Sequence, residues 1–385
     1  MNPFPENITS KLPKTGLSVF AVMSNMANEY NAINLSQGFP DFECSPKLIE
    51  LVSKYMKEGY NQYAPMAGVM KLREAIAEKT EDLYTASYNC ETEITVTAGA
   101  TQGIYTAISA FVKEEDEVIV FEPAYDSYVP AIKLNGGIPV CVPLKMPDYH
   151  IDWDEVRKLL NQRTKMIIIN TPHNPTGSIL TAKDMVQLEK ITKNTDIIIL
   201  SDEVYEHIIF DGYEHQSVCR YPSLAERSLV LCSFGKTFHN TGWKTGYCLA
   251  PENLMKEFRK VHQFIVFCSN TPIQHAIADF LKDKSYYEEL GGFYQEKRDF
   301  FVNLVKNSRF KIVPCLGTYF QLLDYTGITD ETEMEFAQRL IKENRIGSVP
   351  VSSFYNKPLN NNILRFCFAK KEETLEKAAE VLCKI

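Results

Sequence analysis

The chain has 385 residues, 45% hydrophobic and 23% charged, an ordinary globular composition long enough for two packed domains. Its net charge of -8 argues against a nucleic-acid partner, because backbone phosphates demand a basic face. No apolar run approaches the ~18 residues of a membrane helix. The ten cysteines contain no C-x-x-C pair and the seven histidines no H-E-x-x-H pair, which leaves a metal site without support.

Reduced, scattered thiols and an N-terminal stretch (MNPFPENITSKLPKTG) without the apolar centre of a signal peptide together read as a soluble cytoplasmic protein. In that compartment the glycosylation pattern Asn7-Ile8-Thr9 carries no meaning.

Residues 1–44 read as loop-rich, with prolines at 3, 5, 13 and 40. Beyond them, β-branched runs alternate with amphipathic segments. Strands are predicted at 93–98, 117–121, 138–142, 165–170, 196–200, 228–232 and 245–250. Several of these runs are apolar on both faces, the pattern of a parallel sheet covered by helices on both sides. A long polar helix is predicted from Ser285, then strands at 310–313, 318–322 and 363–368. The expected fold class is α/β: a mainly parallel seven-stranded sheet in a large domain over 45–284, plus a smaller α+β domain made of 1–44 and 285–385.

Ligands of an open parallel sheet bind beyond the carboxyl ends of its strands. Those ends carry Gly99-Ala100-Thr101-Gln102-Gly103, then Pro123-Ala124-Tyr125, Asn170 to Gly177, Ser201-Asp202-Glu203-Val204-Tyr205, and Ser233-Phe234-Gly235-Lys236. Gly235-Lys236-Thr237 is not a nucleotide P-loop. The position five before the Gly-Lys pair is Val230, in an apolar run, where that loop requires glycine. Each residue alone has an ordinary structural use, as a turn former, a helix cap or a core-edge aromatic. Together they suit a phosphorylated pyridine aldehyde. A lysine amine condenses with the aldehyde as a Schiff base. A carboxylate keeps the pyridine nitrogen protonated, so that the ring draws off electrons. An aromatic ring stacks on it, and a helix N-terminus receives the phosphate.

The motifs LSQGFPDF (35–42), NQYAPMAGVMKLREAIA (61–77), TAGATQGI (97–104), NTPHNPTG (170–177), SDEVYE (201–206), SFGKTFHNTGWKTGY (233–247) and NILRFCFA (362–369) occur in this order. In them the chain resembles the class I aminotransferases of fold type I that depend on pyridoxal 5′-phosphate, nearest to the methionine and kynurenine (glutamine-type) subgroup. The resemblance runs from about Leu35 to the C-terminus. It implies that Lys236 carries the cofactor, Asp202 pairs with the pyridine N–H, Tyr205 and Asn174 bond the ring oxygen and Tyr125 stacks on the ring. It gives the phosphate to Ala100, Thr101 or Gln102, with Ser233 and Lys244, the last a lysine where an arginine is common. Tyr63 would reach the phosphate of a neighbouring subunit, making a homodimer with shared active sites. Arg365 would clamp the substrate α-carboxylate, aided by the Gly38 backbone and Asn174, and Phe20 and Tyr63 would line an apolar side-chain pocket.

The activity so implied moves the α-amino group of methionine, an aromatic amino acid or glutamine to a 2-oxo acid by a ping-pong mechanism. The same site residues would serve a cysteine-conjugate β-lyase. The fold also occurs as the ligand-sensing half of DNA-binding regulators, but the pattern begins by Leu35, ahead of which a helix-turn-helix domain has no room.

Overall fold

A computed structural model of the protein describes residues 9–13, 15–357 and 359–385. Asn7 and Ile8 of the glycosylation pattern, and most of the N-terminal stretch weighed as a leader, lie outside them. In chain order the strands are β1 (Ile33–Asn34), β2 (Ile94–Thr97), β3 (Glu117–Glu122), β4 (Ile138–Pro143), β5 (Thr164–Asn170), β6 (Ile198–Asp202), β7 (Ser228–Ser233), β8 (Gly246–Leu249), β9 (Lys311–Ile312), β10 (Phe320–Asp324), β11 (Ile346–Gly347), β12 (Val349–Pro350) and β13 (Ile363–Cys367).

Seven of them form one sheet in the order β2-β8-β7-β6-β5-β3-β4. All neighbours from β7 to β4 run parallel, whereas β8 is antiparallel to both β2 and β7. The sheet is therefore mixed at one strand, a polarity that hydrophobic runs do not encode. Alternation along the strands sorts side chains to two faces. Val118, Val120, Met166, Ile168, Leu229 and Leu231 pack with the helix Ala100–Phe111 and with Phe258 of the helix Glu252–Ile265. Ile119, Phe121, Ile167, Ile169, Ile199 and Val230 pack on the other side, against Leu72, Ile76, Met185 and Leu188. This two-sided burial is why the strands read as continuous apolar runs.

A second sheet, β12-β13-β10-β9, is antiparallel, and β1 pairs parallel with β11. Four expectations need correction, the first being the strand expected at 318–322, which begins two residues later, at Phe320–Asp324. The strand expected at 196–200 is shifted to Ile198–Asp202, so Asp202 is its last residue rather than a loop residue. The long helix from Ser285 is two, Ser285–Glu288 and Leu290–Val305, separated just before Gly291-Gly292, where helix propensity is lowest. The first 44 residues contain the helix Val19–Glu29, started by Ser18, whose side chain accepts from Ala21 N, and held by buried Met23 and Ala27.

Behind β7 and β8 lies a charged pair with almost no solvent. Lys79 Nζ is 2.8 Å from Glu206 Oε1, and their side chains are 4% and 3% exposed. Tyr84 donates to Glu206 Oε2 at 2.6 Å and Tyr247 to Oε1 at 3.1 Å. Burial alone would raise the Glu206 carboxyl; Lys79, His207 and Tyr84 outweigh it and hold it well below the usual range. Lys79→Met leaves that carboxylate buried and unpaired, and is expected to lower unfolding stability by about 3–5 kcal/mol in denaturant titration. The double change Lys79→Met/Glu206→Leu is expected to recover most of that loss. A single variant as stable as the parent would show that the pair contributes nothing.

Candidate active site

Strand register assembles the site. Asn170 stands opposite Asp202 across β5 and β6, while Thr97 and Ser233 both stand opposite Gly246 of β8. The ends of β2, β5, β6 and β7 therefore open on one cavity, with Tyr125, Asn174, Asp202, Tyr205 and Lys236 in its walls.

Gly99 precedes the helix Ala100–Phe111 with φ +76°, a conformation that side chains with a Cβ avoid. A Cβ at this glycine would lie 3.6 Å from Lys244 Nζ, so the ammonium sits against the turn that opens the helix. The first N–H groups of a helix have no partner within it and carry the positive end of its dipole. Ala100, Thr101, Ser233, Thr241 and Lys244 line this end of the cavity. Free N–H groups, hydroxyls and an ammonium form a donor set for a phosphate-like dianion. The Gln102 side chain does not join it. Its Oε1 accepts from Ala98 N at 2.9 Å, and its Nε2 donates to Thr106 Oγ1 at 2.6 Å and meets His262 Nδ1 at 3.1 Å. Successive side chains on a helix diverge by about 100°, which turns Gln102 away from the spot that Thr101 faces.

Asp202 is 3% exposed. Tyr128 donates to its Oδ2 at 2.5 Å and Val204 N to its Oδ1 at 3.3 Å. Burial pushes its carboxyl up to about 6, against the lowering effect of these two bonds. Lys236 is the opposite case. Burial brings its amine down to about 8, so the neutral, nucleophilic form is far easier to reach near neutral pH than for a free lysine. Its Nζ donates to the Tyr319 hydroxyl at 2.7 Å and to the Gly38 carbonyl at 3.3 Å, and lies 5.4 Å from the Tyr205 ring centre. Tyr125 meets Thr101 Oγ1 at 3.2 Å and the edge of Tyr128 at 5.6 Å between ring centres.

Arg365 is 1% exposed, yet no carboxylate is among its hydrogen-bond partners. Nη1 donates to Asn174 Oδ1 at 2.7 Å and Nη2 to Ser36 O at 3.2 Å, while Nε has no partner among the described residues. Burial lowers even this guanidinium, to about 10. Three rings surround it: its Cζ lies 3.8 Å from the centre of Phe320, 5.1 Å from Phe354 and 5.2 Å from Phe20. Phe20 thus stands beside the arginine. Tyr63 is not in the cavity of its own chain; it is 85% exposed and rests edge-on against Phe267 at 5.5 Å.

Sequence reasoning missed Tyr128, Tyr319 and the role of Asn170. Asn170 Nδ2 donates to Asp202 O at 2.9 Å while its Oδ1 accepts from Asn174 N at 2.9 Å, tying two wall residues together. The Asp202–Tyr205 turn is also held from behind. Glu203 accepts from Ser201 Oγ at 2.7 Å and Val218 N at 3.1 Å and meets His215 Nε2 at 2.8 Å. Glu206 is held by Lys79, Tyr84 and Tyr247.

The class I and II aminotransferase family matches residues 30–382. A methionine aminotransferase of Escherichia coli is 48% identical over 374 residues, spanning 97% of both chains. A kynurenine–oxoglutarate transaminase of Dictyostelium discoideum is 34% identical, spanning 96% of this chain and 94% of its own. The crystal structure of an Escherichia coli protein described as having a methionine aminotransferase function superposes with a TM-score of 0.97 at 47% identity, over 99% of this chain and 100% of that one. N-succinyldiaminopimelate aminotransferase of Mycobacterium tuberculosis superposes with a TM-score of 0.94 at 33% identity, over 98% and 99%. With a match across nearly its whole length, the chain belongs to the class I and II aminotransferases.

Proposed function

We propose that this aminotransferase binds pyridoxal 5′-phosphate and takes its amino group from methionine, an aromatic amino acid or glutamine, passing it to a 2-oxo acid in two half-reactions. One observation carries the substrate half. Arg365 is a buried guanidinium with an unpartnered Nε and, among the described residues, no carboxylate within hydrogen-bond or ion-pair reach. A substrate α-carboxylate would complete it by bidentate pairing. The rings of Phe20, Phe320 and Phe354 around it favour an apolar donor side chain over a second acidic group. The methionine aminotransferase among the relatives supports the same choice.

The residues fit the cofactor on two counts. The cradle of helix N–H groups, hydroxyls and Lys244 suits a phosphate. Asp202, raised by burial, has no cation among its hydrogen-bond partners, and a protonated pyridine nitrogen would supply one. When bound, the cofactor supplies an electron sink. We assign Lys236 to its aldehyde, Asp202 to its ring nitrogen, Tyr125 to its face, Tyr205 and Asn174 to its ring oxygen, and Ala100, Thr101, Ser233 and Lys244 to its phosphate. The freed Lys236 amine takes the donor's α-proton at Nζ and returns a proton, acting as base and then acid. Arg365, with the Gly38 backbone, orients the donor so that its α-hydrogen faces that nitrogen.

Tyr63 points out from its own chain, so we assign it to the phosphate of a second copy, in a homodimer with shared sites. Ten free cysteines and the absence, among the described residues, of a helix long and apolar enough to cross a membrane support a cytoplasmic location.

Lys236→Ala is expected to abolish both transamination and the visible colour of the cofactor-loaded protein; a yellow, active variant would refute the assignment. Arg365→Ala is expected to raise KM for the donor by the equivalent of about 2–5 kcal/mol, with a smaller effect on kcat. Unchanged KM in steady-state assays would move the carboxylate clamp elsewhere.

A further inference from the structure

One group at the lysine has no assigned role. Tyr319, in the turn before β10, is fully buried. Its hydroxyl donates to the Gly38 carbonyl at 2.6 Å and accepts from Lys236 Nζ at 2.7 Å, and Nζ reaches the same carbonyl at 3.3 Å. The three groups close a triangle. The phenol ring is fixed on three sides, by Tyr205 at 5.2 Å, Phe320 at 4.9 Å and Tyr294 at 5.6 Å between centres.

The direction of these bonds matters. A neutral amine has two hydrogens to donate and one lone pair. Because the Tyr319 proton is committed to Gly38, the phenol offers Lys236 only an acceptor and cannot cap its lone pair. With both amine hydrogens received, by the phenol oxygen and the Gly38 carbonyl, the lone pair is left to the cavity. A lysine on a flexible four-carbon stem would otherwise sample many orientations.

We propose that Tyr319 is a positioning residue for the base: its phenol oxygen, locked by the Gly38 carbonyl, holds the Lys236 amine with its lone pair toward the reacting carbon. The proposal rests on the assignment of Lys236 as the cofactor-bearing base and adds the group that aims it. It also links the base to the substrate clamp. The segment carrying Gly38 gives its Ser36 carbonyl to Arg365 at 3.2 Å. It is tied to the C-terminal region by Lys370 Nζ on Phe39 O at 2.7 Å and by Thr374 Oγ1 on Asp41 at 2.7 Å. Gly38 has no freedom to become larger, since a Cβ there would lie 2.6 Å from Phe320 Cζ. One short strap thus contacts both the lysine and the arginine.

Tyr319→Phe removes one oxygen and keeps the ring. Tyr294→Phe makes the same change in a neighbouring phenol whose hydroxyl has no partner among the described residues. In the cofactor-loaded full chain with methionine as donor, Tyr319→Phe is expected to lower kcat about 10- to 100-fold while KM stays within about twofold. The primary isotope effect with α-deuterated methionine is expected to rise, because proton transfer becomes the slow step. A second readout does not depend on turnover: the pH dependence of Lys236 modification by an amine reagent in the cofactor-free chain, read by mass spectrometry. Loss of an acceptor that favours the charged amine moves that midpoint to lower pH. Tyr294→Phe is expected to change none of these. Parental kcat and an unmoved midpoint in Tyr319→Phe would overturn the proposal, as would equal losses in both phenylalanine variants. An active Lys236→Ala enzyme would instead overturn the assignment of the lysine, a result distinct from either.

Discussion

Asp202 is an acid almost sealed from water, and the site is organised around that cost. A buried carboxylate either takes up a proton or acquires a cation. Here Tyr128 and the Val204 N–H stabilise the charge only in part, and burial still pushes the carboxyl up to about 6. The proposed cofactor's protonated pyridine nitrogen would meet the remainder. The same logic, with the sign reversed, applies at Arg365, a buried cation with no carboxylate among its hydrogen-bond partners in the described residues. Lys236 feels both charges, and burial has made its amine easier to deprotonate. One site therefore holds a carboxylate, a guanidinium and an amine whose charged forms are all disfavoured by lack of solvent, which leaves the first two in need of counter-charges and eases deprotonation of the third.

Such a site needs a rigid frame, because groups poised this way lose their effect if they drift. The frame is the mixed sheet. Its register sets Asn170 beside Asp202 and Ser233 beside Gly246. On the far side, Glu203 and Glu206 are each tied down by several donors, so the turn that presents Asp202 and Tyr205 to the cavity is clamped from behind. In this segment consecutive residues divide the work: Asp202 and Tyr205 face the cavity, while Glu203 and Glu206 are fixed to the protein behind it.

What the sequence made legible follows from this geometry. Lys236, Asp202, Tyr205 and Tyr125 sit just at or past strand ends, where the rule for open parallel sheets directs attention, and all line the cavity. Tyr319 and Tyr128 gave no such signal. Tyr128 opens a helix and reaches Asp202 from 74 residues away, and Tyr319 reaches Lys236 from 83. Contacts of that range leave no trace in local spacing. Gln102 illustrates the converse: the motif offers three adjacent residues, but helical rotation decides which face the cavity, and the Gln102 side chain is bonded elsewhere. The antiparallel run of β8 and the two-residue strands β1, β11 and β12 were likewise invisible, since direction is not written in hydrophobicity and two residues carry no period.

In the reaction proposed, the ring-flanked Arg365 and the easily deprotonated Lys236 together remove the amino group of methionine. Cofactor-loaded protein mixed with methionine alone tests this without an acceptor. Loss of the yellow absorbance is expected, with release of a stoichiometric amount of the methionine-derived 2-oxo acid. Persistent absorbance with methionine, together with pyruvate and ammonia released from a cysteine conjugate, would contradict it and assign the same residues to carbon–sulfur cleavage.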